Sequence, residues 1–123
     1  MNNLKIDKTK QTPLVLLNTS GDFIIKGIST TDNAQKFFQP IVNWLTEFKT
    51  ASPTHINFVM ELEYLNTSST RNIVEILRLI NQFKLEGTAV SITWTYEKGD
   101  EDMLELGEDL LTSAKSDIIF LAI

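Results

Sequence analysis

The chain predicts an α/β fold, a mixed sheet of about five strands with three helices lying mainly on one face. Three observations carry that expectation. Ile56 to Tyr64 and Ala89 to Glu97 each alternate apolar and polar residues, as half-buried strands do. Between them Ile73, Ile76, Leu77, Ile80 and Phe83 recur at helical spacing. A strand, a helix and a strand in that order make a βαβ unit, with parallel strands and a right-handed crossover.

The remaining elements follow in chain order. Leu4 and Ile6 suit a short edge strand or a loose arm. Leu14 to Leu17 is apolar throughout, too short for a helix and fit for a buried strand. Asn18 to Asp22 is turn chemistry, so Phe23 to Ile28 should pair back on it as a hairpin. Gly27 interrupts that second strand, which points to a bulge or a close backbone approach. From Thr31 the period changes. Ala34, Phe37, Phe38, Ile41, Trp44, Leu45 and Phe48 form a helical stripe, capped by Thr31 or Asp32. Pro40 inside it means either a kink or a restarted helix, and Ala51-Ser52-Pro53 ends it.

The strand at 56–64 should turn Ile56, Phe58, Met60, Leu62 and Tyr64 to the core, with Asn57, Val59, Glu61 and Glu63 opposite. The strand at 89–97 behaves alike, which leaves one sheet face polar. The βαβ helix spans 69–84 and Gly87 closes it. A third helix starts near Asp100 with Met103, Leu106, Gly107, Leu110 and Leu111 inward. The last strand, Ile118 to Ile123, is wholly apolar and expected to be covered.

Size and charge exclude several functions. At 123 residues the chain is long enough for one ordinary core, and residues 1–123 read as a single domain. There is no cysteine, hence no disulfide, thiolate nucleophile or thiolate metal site, and one histidine, His55, cannot build a multi-histidine cage. Net charge is −5, lysines and arginines are scattered, and the densest charge cluster, Glu97 to Asp109, is acidic. Nucleic acid and anionic membrane are therefore not expected partners, whereas protein is. No apolar run reaches the ~20 residues of a membrane span and no signal peptide is recognisable, so cytoplasm is the expected compartment. No phosphate loop, dinucleotide fingerprint or catalytic triad appears, so neither a cofactor nor catalysis is expected.

The stretch with most to say is Leu62-Glu63-Tyr64-Leu65-Asn66-Thr67-Ser68-Ser69-Thr70-Arg71. It runs from the end of a strand into a helix, with four hydroxyl residues at the helix N-terminus. Unpaired amides and the helix dipole favour negative charge there. Helix capping would employ one hydroxyl, and Asn72 with Glu75 could form a later capping box. The remaining hydroxyls are candidates for a phosphoryl group, and the residues alone do not choose among Thr67, Ser68, Ser69 and Thr70.

This stretch, together with Trp94-Thr95-Tyr96-Glu97 and Asp100-Glu101-Asp102-Met103-Leu104-Glu105, resembles the SiaC-type regulatory phosphoproteins of bacteria. Gln11-Thr12-Pro13, Asn33-Ala34, Phe37-Phe38, Pro40 and Trp44-Leu45 extend the resemblance over nearly the whole chain in one register. It implies a fold similar to the anti-sigma-factor antagonist (STAS-like) class. It also implies that the phosphorylated residue is Thr67, flanked by Leu65, Asn66, Ser68, Ser69, Thr70 and Arg71. The implied partners are a cognate Ser/Thr kinase, a PP2C-type phosphatase and a diguanylate cyclase that the unmodified protein binds and stimulates, in control of cyclic di-GMP and biofilm formation. Thr31-Asp32 departs from a Pro-Glu pair usual in such proteins, and Arg71 from a lysine.

Other features read more plainly. Asp100, Glu101 and Asp102 lack the frame of a calcium loop; they complement a helix dipole or, with Tyr64, face a partner. Glu61 and Glu63 share a strand face, where adjacent carboxylates can act as acid and base, though solvation is the commoner role. Two rivals to the switch remain open: an anti-sigma-antagonist-like or constitutive scaffold for another effector, and a small carboxylate enzyme.

Overall fold

The computed structural model describes residues 1–123. Its sheet has six strands, β1 (Leu4–Ile6), β2 (Leu14–Leu17), β3 (Asp22–Ser29), β4 (His55–Leu65), β5 (Ala89–Tyr96) and β6 (Ile119–Ala122). They lie side by side in chain order, β1-β2-β3-β4-β5-β6. The pairs β1–β2 and β2–β3 are antiparallel, and the remaining three pairs are parallel. The sixth strand is the Leu4–Ile6 segment, which forms an edge instead of a loose arm; Asn3 Oδ1 accepts from Thr19 N–H and Asn2 carbonyl accepts from Trp44 Nε1–H, pinning it at both sides.

Each parallel step is bridged by one helix: α1 (Ala34–Lys49), α2 (Thr67–Leu85) and α3 (Glu101–Ala114). Three right-handed crossovers advancing in the same direction put all three helices on one face. Between that face and the helices lies a core of 25 buried hydrophobic residues, in which Phe38, Phe58, Phe83 and Trp94 are the largest fully buried side chains. Phe23 meets Trp44, Phe48 and Phe58 edge-on at 5.5–6.2 Å, joining α1 to β3 and β4. The opposite sheet face has no helix over it.

Several expectations need correction. The cap of α1 is Asn33, whose Oδ1 accepts from Lys36 N–H; Thr31 Oγ1 accepts from Asn33 N–H one step earlier, and Asp32 caps nothing. The helix runs through Pro40 as one element. Helix α2 begins two residues sooner than the apolar period suggested, because a cap at Asn66 brings Thr67 and Ser68 into the first turn. Asn72 is inside the helix, where its Nδ2 donates to Ser68 carbonyl.

Tyr64 does not join the core. The β3–β4 register slips between Gly27 and Ile28, so that Gly27 faces Leu62 while Ile28 faces Tyr64 and Glu63 is the extra residue. A bulge shifts the side-chain alternation by one. Leu65 is buried in consequence, and Tyr64 is 53% exposed. Strand β6 is not covered either. It is the sheet's edge, pairing with β5 alone, and Ile119 and Leu121 are 60% and 51% exposed. Only Phe120 packs inward, beside Trp94 at Gly107.

Candidate functional site

The segment between β4 and α2 is organised by Asn66. Its backbone N–H donates to Ser29 carbonyl at 3.0 Å, and its Nδ2 donates to Thr31 carbonyl at 3.1 Å. Its Oδ1 accepts from Ser69 N–H (2.9 Å) and Ser68 Oγ (3.3 Å), and its own carbonyl accepts from Thr70 N–H and Thr70 Oγ1. One side chain thus caps α2 and ties it to the β3–α1 connection. Thr31 contributes only a carbonyl to this network, which any residue could supply.

The four hydroxyls have four different fates. Ser69 is fully buried and shares a 2.6 Å hydrogen bond with the equally buried Ser29. Ser68 Oγ is bonded to Asn66 Oδ1, and Thr70 Oγ1 to Asn66 carbonyl. Both residues are half-buried. Thr67 is exposed, at the first position of the helix, and its hydroxyl makes no bond within the chain. Beside it the Thr67 and Ser68 amides have no acceptor within the chain, while those of Ser69 and Thr70 are taken by Asn66. Arg71, one turn on, is exposed and belongs to no ion pair. With Ser68 and Asn72 it lines a groove of about 930 Å³ between α1 and α2.

The other predicted residues separate from this group or take structural roles. Asp100 caps α3, its Oδ1 accepting from Met103 N–H at 3.2 Å, while Glu101 and Asp102 stand exposed in the first turn. They follow the carboxyl end of β5, as Thr67 follows that of β4, so both segments occupy the same end of the sheet. Glu61 is held by Lys26 at 3.5 Å on the helix-free face, and Glu63 rides on the bulge; both line a hollow with Thr95 and Glu97. No three His, Asp or Glu side chains converge where a metal ion could sit. What the sequence reading missed was Ser29, 40 residues from its partner Ser69. Only its place in a strand otherwise apolar on that face hints at a buried polar contact.

A family model described as "SiaC family regulatory phosphoprotein" matches residues 6–122. The chain belongs to the SiaC family. A protein of Pseudomonas aeruginosa (strain UCBPP-PA14), itself uncharacterised, is 29% identical over 110 residues, covering 89% of this chain and 87% of its own length. Among solved structures, apo-SiaC from Pseudomonas aeruginosa superposes with a TM-score of 0.90 at 26% identity, covering 99% of this chain and 100% of that one. SiaC in complex with the diguanylate cyclase SiaD, which it is described as activating, gives the same TM-score over 98% of this chain and 99% of that one, again at 26% identity. The architecture is therefore that of SiaC. Likeness to the anti-sigma-factor antagonists is a coarser description, good for a mixed sheet with helices on one face.

Proposed function

We propose that this SiaC-family protein is a docking regulator of a diguanylate cyclase, switched by phosphorylation of Thr67. The relative crystallised with SiaD supports the partner, and membership of a regulatory phosphoprotein family supports the kind of switch. One observation carries the choice of residue. Of four adjacent hydroxyls, three are tied into Asn66 or Ser29, and only that of Thr67 is exposed and unbonded. A kinase can reach it without unfolding the helix terminus.

The energetics suit a switch. A phosphate adds about −1.5 to −2 charges and three strong acceptor oxygens. In the free protein the unbonded Thr67 and Ser68 amides and the helix dipole accommodate it, with a gain of about 0.3–1 kcal/mol at an exposed site. Under a docked partner the same group loses its water, at a cost that apolar or acidic surroundings do not return. Since each 1.4 kcal/mol is about tenfold in affinity, a modest penalty suffices to release the cyclase. A cognate Ser/Thr kinase and a PP2C-type phosphatase complete the cycle. In this reading the whole chain acts as one regulatory domain, with Tyr64 and the acidic start of α3 on the same rim as the switch.

The test is binding of a diguanylate cyclase by unmodified protein, by stoichiometrically phosphorylated protein and by Thr67→Ala. The first and third should bind alike and the second at least about tenfold more weakly. Equal binding by all three would leave a constitutive scaffold instead.

A further inference from the structure

The chain as a whole is acidic, yet folding gathers three lysines that are scattered in the sequence. Lys8 and Lys10 from the β1–β2 connection and Lys26 from β3 line one cavity of about 730 Å³ on the helix-free face. Thr9 and Thr12 stand between them, and Leu14 and Ile28 contribute apolar surface. A single carboxylate, Glu63, shares the lining; Lys26 lies 3.5 Å from Glu61, and Lys8 and Lys10 belong to no ion pair. Three ammonium groups on one concavity, two of them without a carboxylate partner, attract anions, most strongly those carrying several charges.

The wall is built before any ligand arrives. Thr9 Oγ1 accepts from Gln11 N–H and Thr12 N–H at 3.1 and 3.0 Å, and Thr9 N–H donates to Thr12 carbonyl. Thr30 N–H donates to Gln11 carbonyl at 2.9 Å, fastening the connection to the end of β3. A loop stapled in this way loses little entropy on binding. The cavity lies by the carboxyl ends of β3 and β4, where open sheets receive ligands, and its volume falls within the range of small-molecule sites.

We propose that this cavity is a binding site for a small phosphate-bearing molecule of nucleotide size. Its phosphates lie against Lys8, Lys10 and Lys26, and the face of its aromatic base lies over Leu14 and Ile28. The proposal does not depend on Thr67, and it assigns no role to the α1–α2 groove. Compactness of the cavity favours a small ligand over an acidic segment of a protein partner.

Titration calorimetry with ATP, GTP, pyrophosphate, guanosine and hexaglutamate tests it. At least one nucleotide should bind saturably, pyrophosphate more weakly, and guanosine not at all. Lys8→Ala/Lys10→Ala should weaken nucleotide binding by about tenfold or more, since two charge-assisted contacts are lost. Those side chains make no bonds within the chain, so the fold should persist, as circular dichroism would verify. Glu63→Gln should tighten binding by removing the carboxylate that lines the cavity, leaving Glu61 on Lys26. The proposal is overturned if neither nucleotide saturates at millimolar concentration, or if the double variant binds undiminished. Hexaglutamate binding as tightly as the nucleotide would also overturn it and assign the lysines to an acidic protein segment.

Discussion

Ser29 Oγ and Ser69 Oγ lie 2.6 Å apart, neither with any exposed surface, and join the end of β3 to the first turn of α2. Removing one hydroxyl leaves the other buried without a partner, which costs about 1–3 kcal/mol. Ser29→Ala and Ser69→Ala are each expected to lower stability by that amount in urea melts. The double variant should lose less than the sum of the two, because no orphan remains. Strict additivity in the double-mutant cycle would show that the pair is not coupled.

Asn66 fills more roles than a cap. Asn66→Ala is expected to destabilise by about 1–2 kcal/mol, the upper part of the range for a lost N-cap, since the bond to Thr31 carbonyl goes as well. Asn66→Asp keeps the acceptor for Ser69 N–H and loses only the donor, so it should fall between the two. Hydrogen exchange at Ser69 and Thr70 amides is the local readout. Faster exchange in the alanine variant alone is the expected pattern.

Thr67→Ala removes an exposed hydroxyl with no bond in the chain, so its stability should stay within about 0.5 kcal/mol of the parent. In the proposed switch the hydroxyl is then needed for docking control and not for folding. Thermal unfolding of both proteins, run beside the cyclase-binding assay, separates the two. A large loss of stability in Thr67→Ala would mean that the side chain holds the helix terminus together.

Gly107 has no room for a methyl group. A Cβ there would stand 2.7–2.8 Å from Trp94 Nε1, Trp94 Cδ1 and Phe120 Cε1. Trp94 is fully buried and its Nε1–H donates to Met103 carbonyl at 3.0 Å, so it cannot swing aside freely. Overpacking of about 1–3 kcal/mol therefore outweighs the ~1 kcal/mol that alanine gains over glycine in a helix. Gly107→Ala should lower the melting temperature and shift the tryptophan emission.

Asp117 titrates below the ordinary carboxylate range because Lys84 Nζ donates a hydrogen bond to it at 2.8 Å, and because the ammonium charge is beside it. A depressed folded value means the interaction is present at neutral pH and is lost as pH falls through that value. In an NMR titration, Lys84→Ala should move the Asp117 midpoint up to the ordinary range. An unmoved midpoint would discount the pair.

The sheet and its helices are readable from residue periodicity, since Ile73 to Phe83 and Phe58 to Trp94 keep their spacing wherever the backbone stays regular. The reading fails where regularity does. At Tyr64 the extra residue Glu63, opposite the Gly27/Ile28 step, changes the side-chain phase, and alternation alone does not locate a one-residue bulge. At β6 an apolar run implies burial, but Ile119 and Leu121 alternate with the inward Phe120 and so lie on the face without a helix. Thr67 shares its chemistry with three neighbours, and only their three-dimensional bonding distinguishes it. The lysine cavity is invisible in one dimension, because its members come from two distant segments.

The unbroken strand order has a consequence for how the molecule comes into being. Each strand is laid beside the one made just before it, so no gap is left for a later segment to thread. Joining sequence neighbours, even across a helix, closes shorter loops than joining distant ends would, at a lower entropic cost. Every strand from β2 onward therefore finds its first partner in the strand that precedes it in the chain.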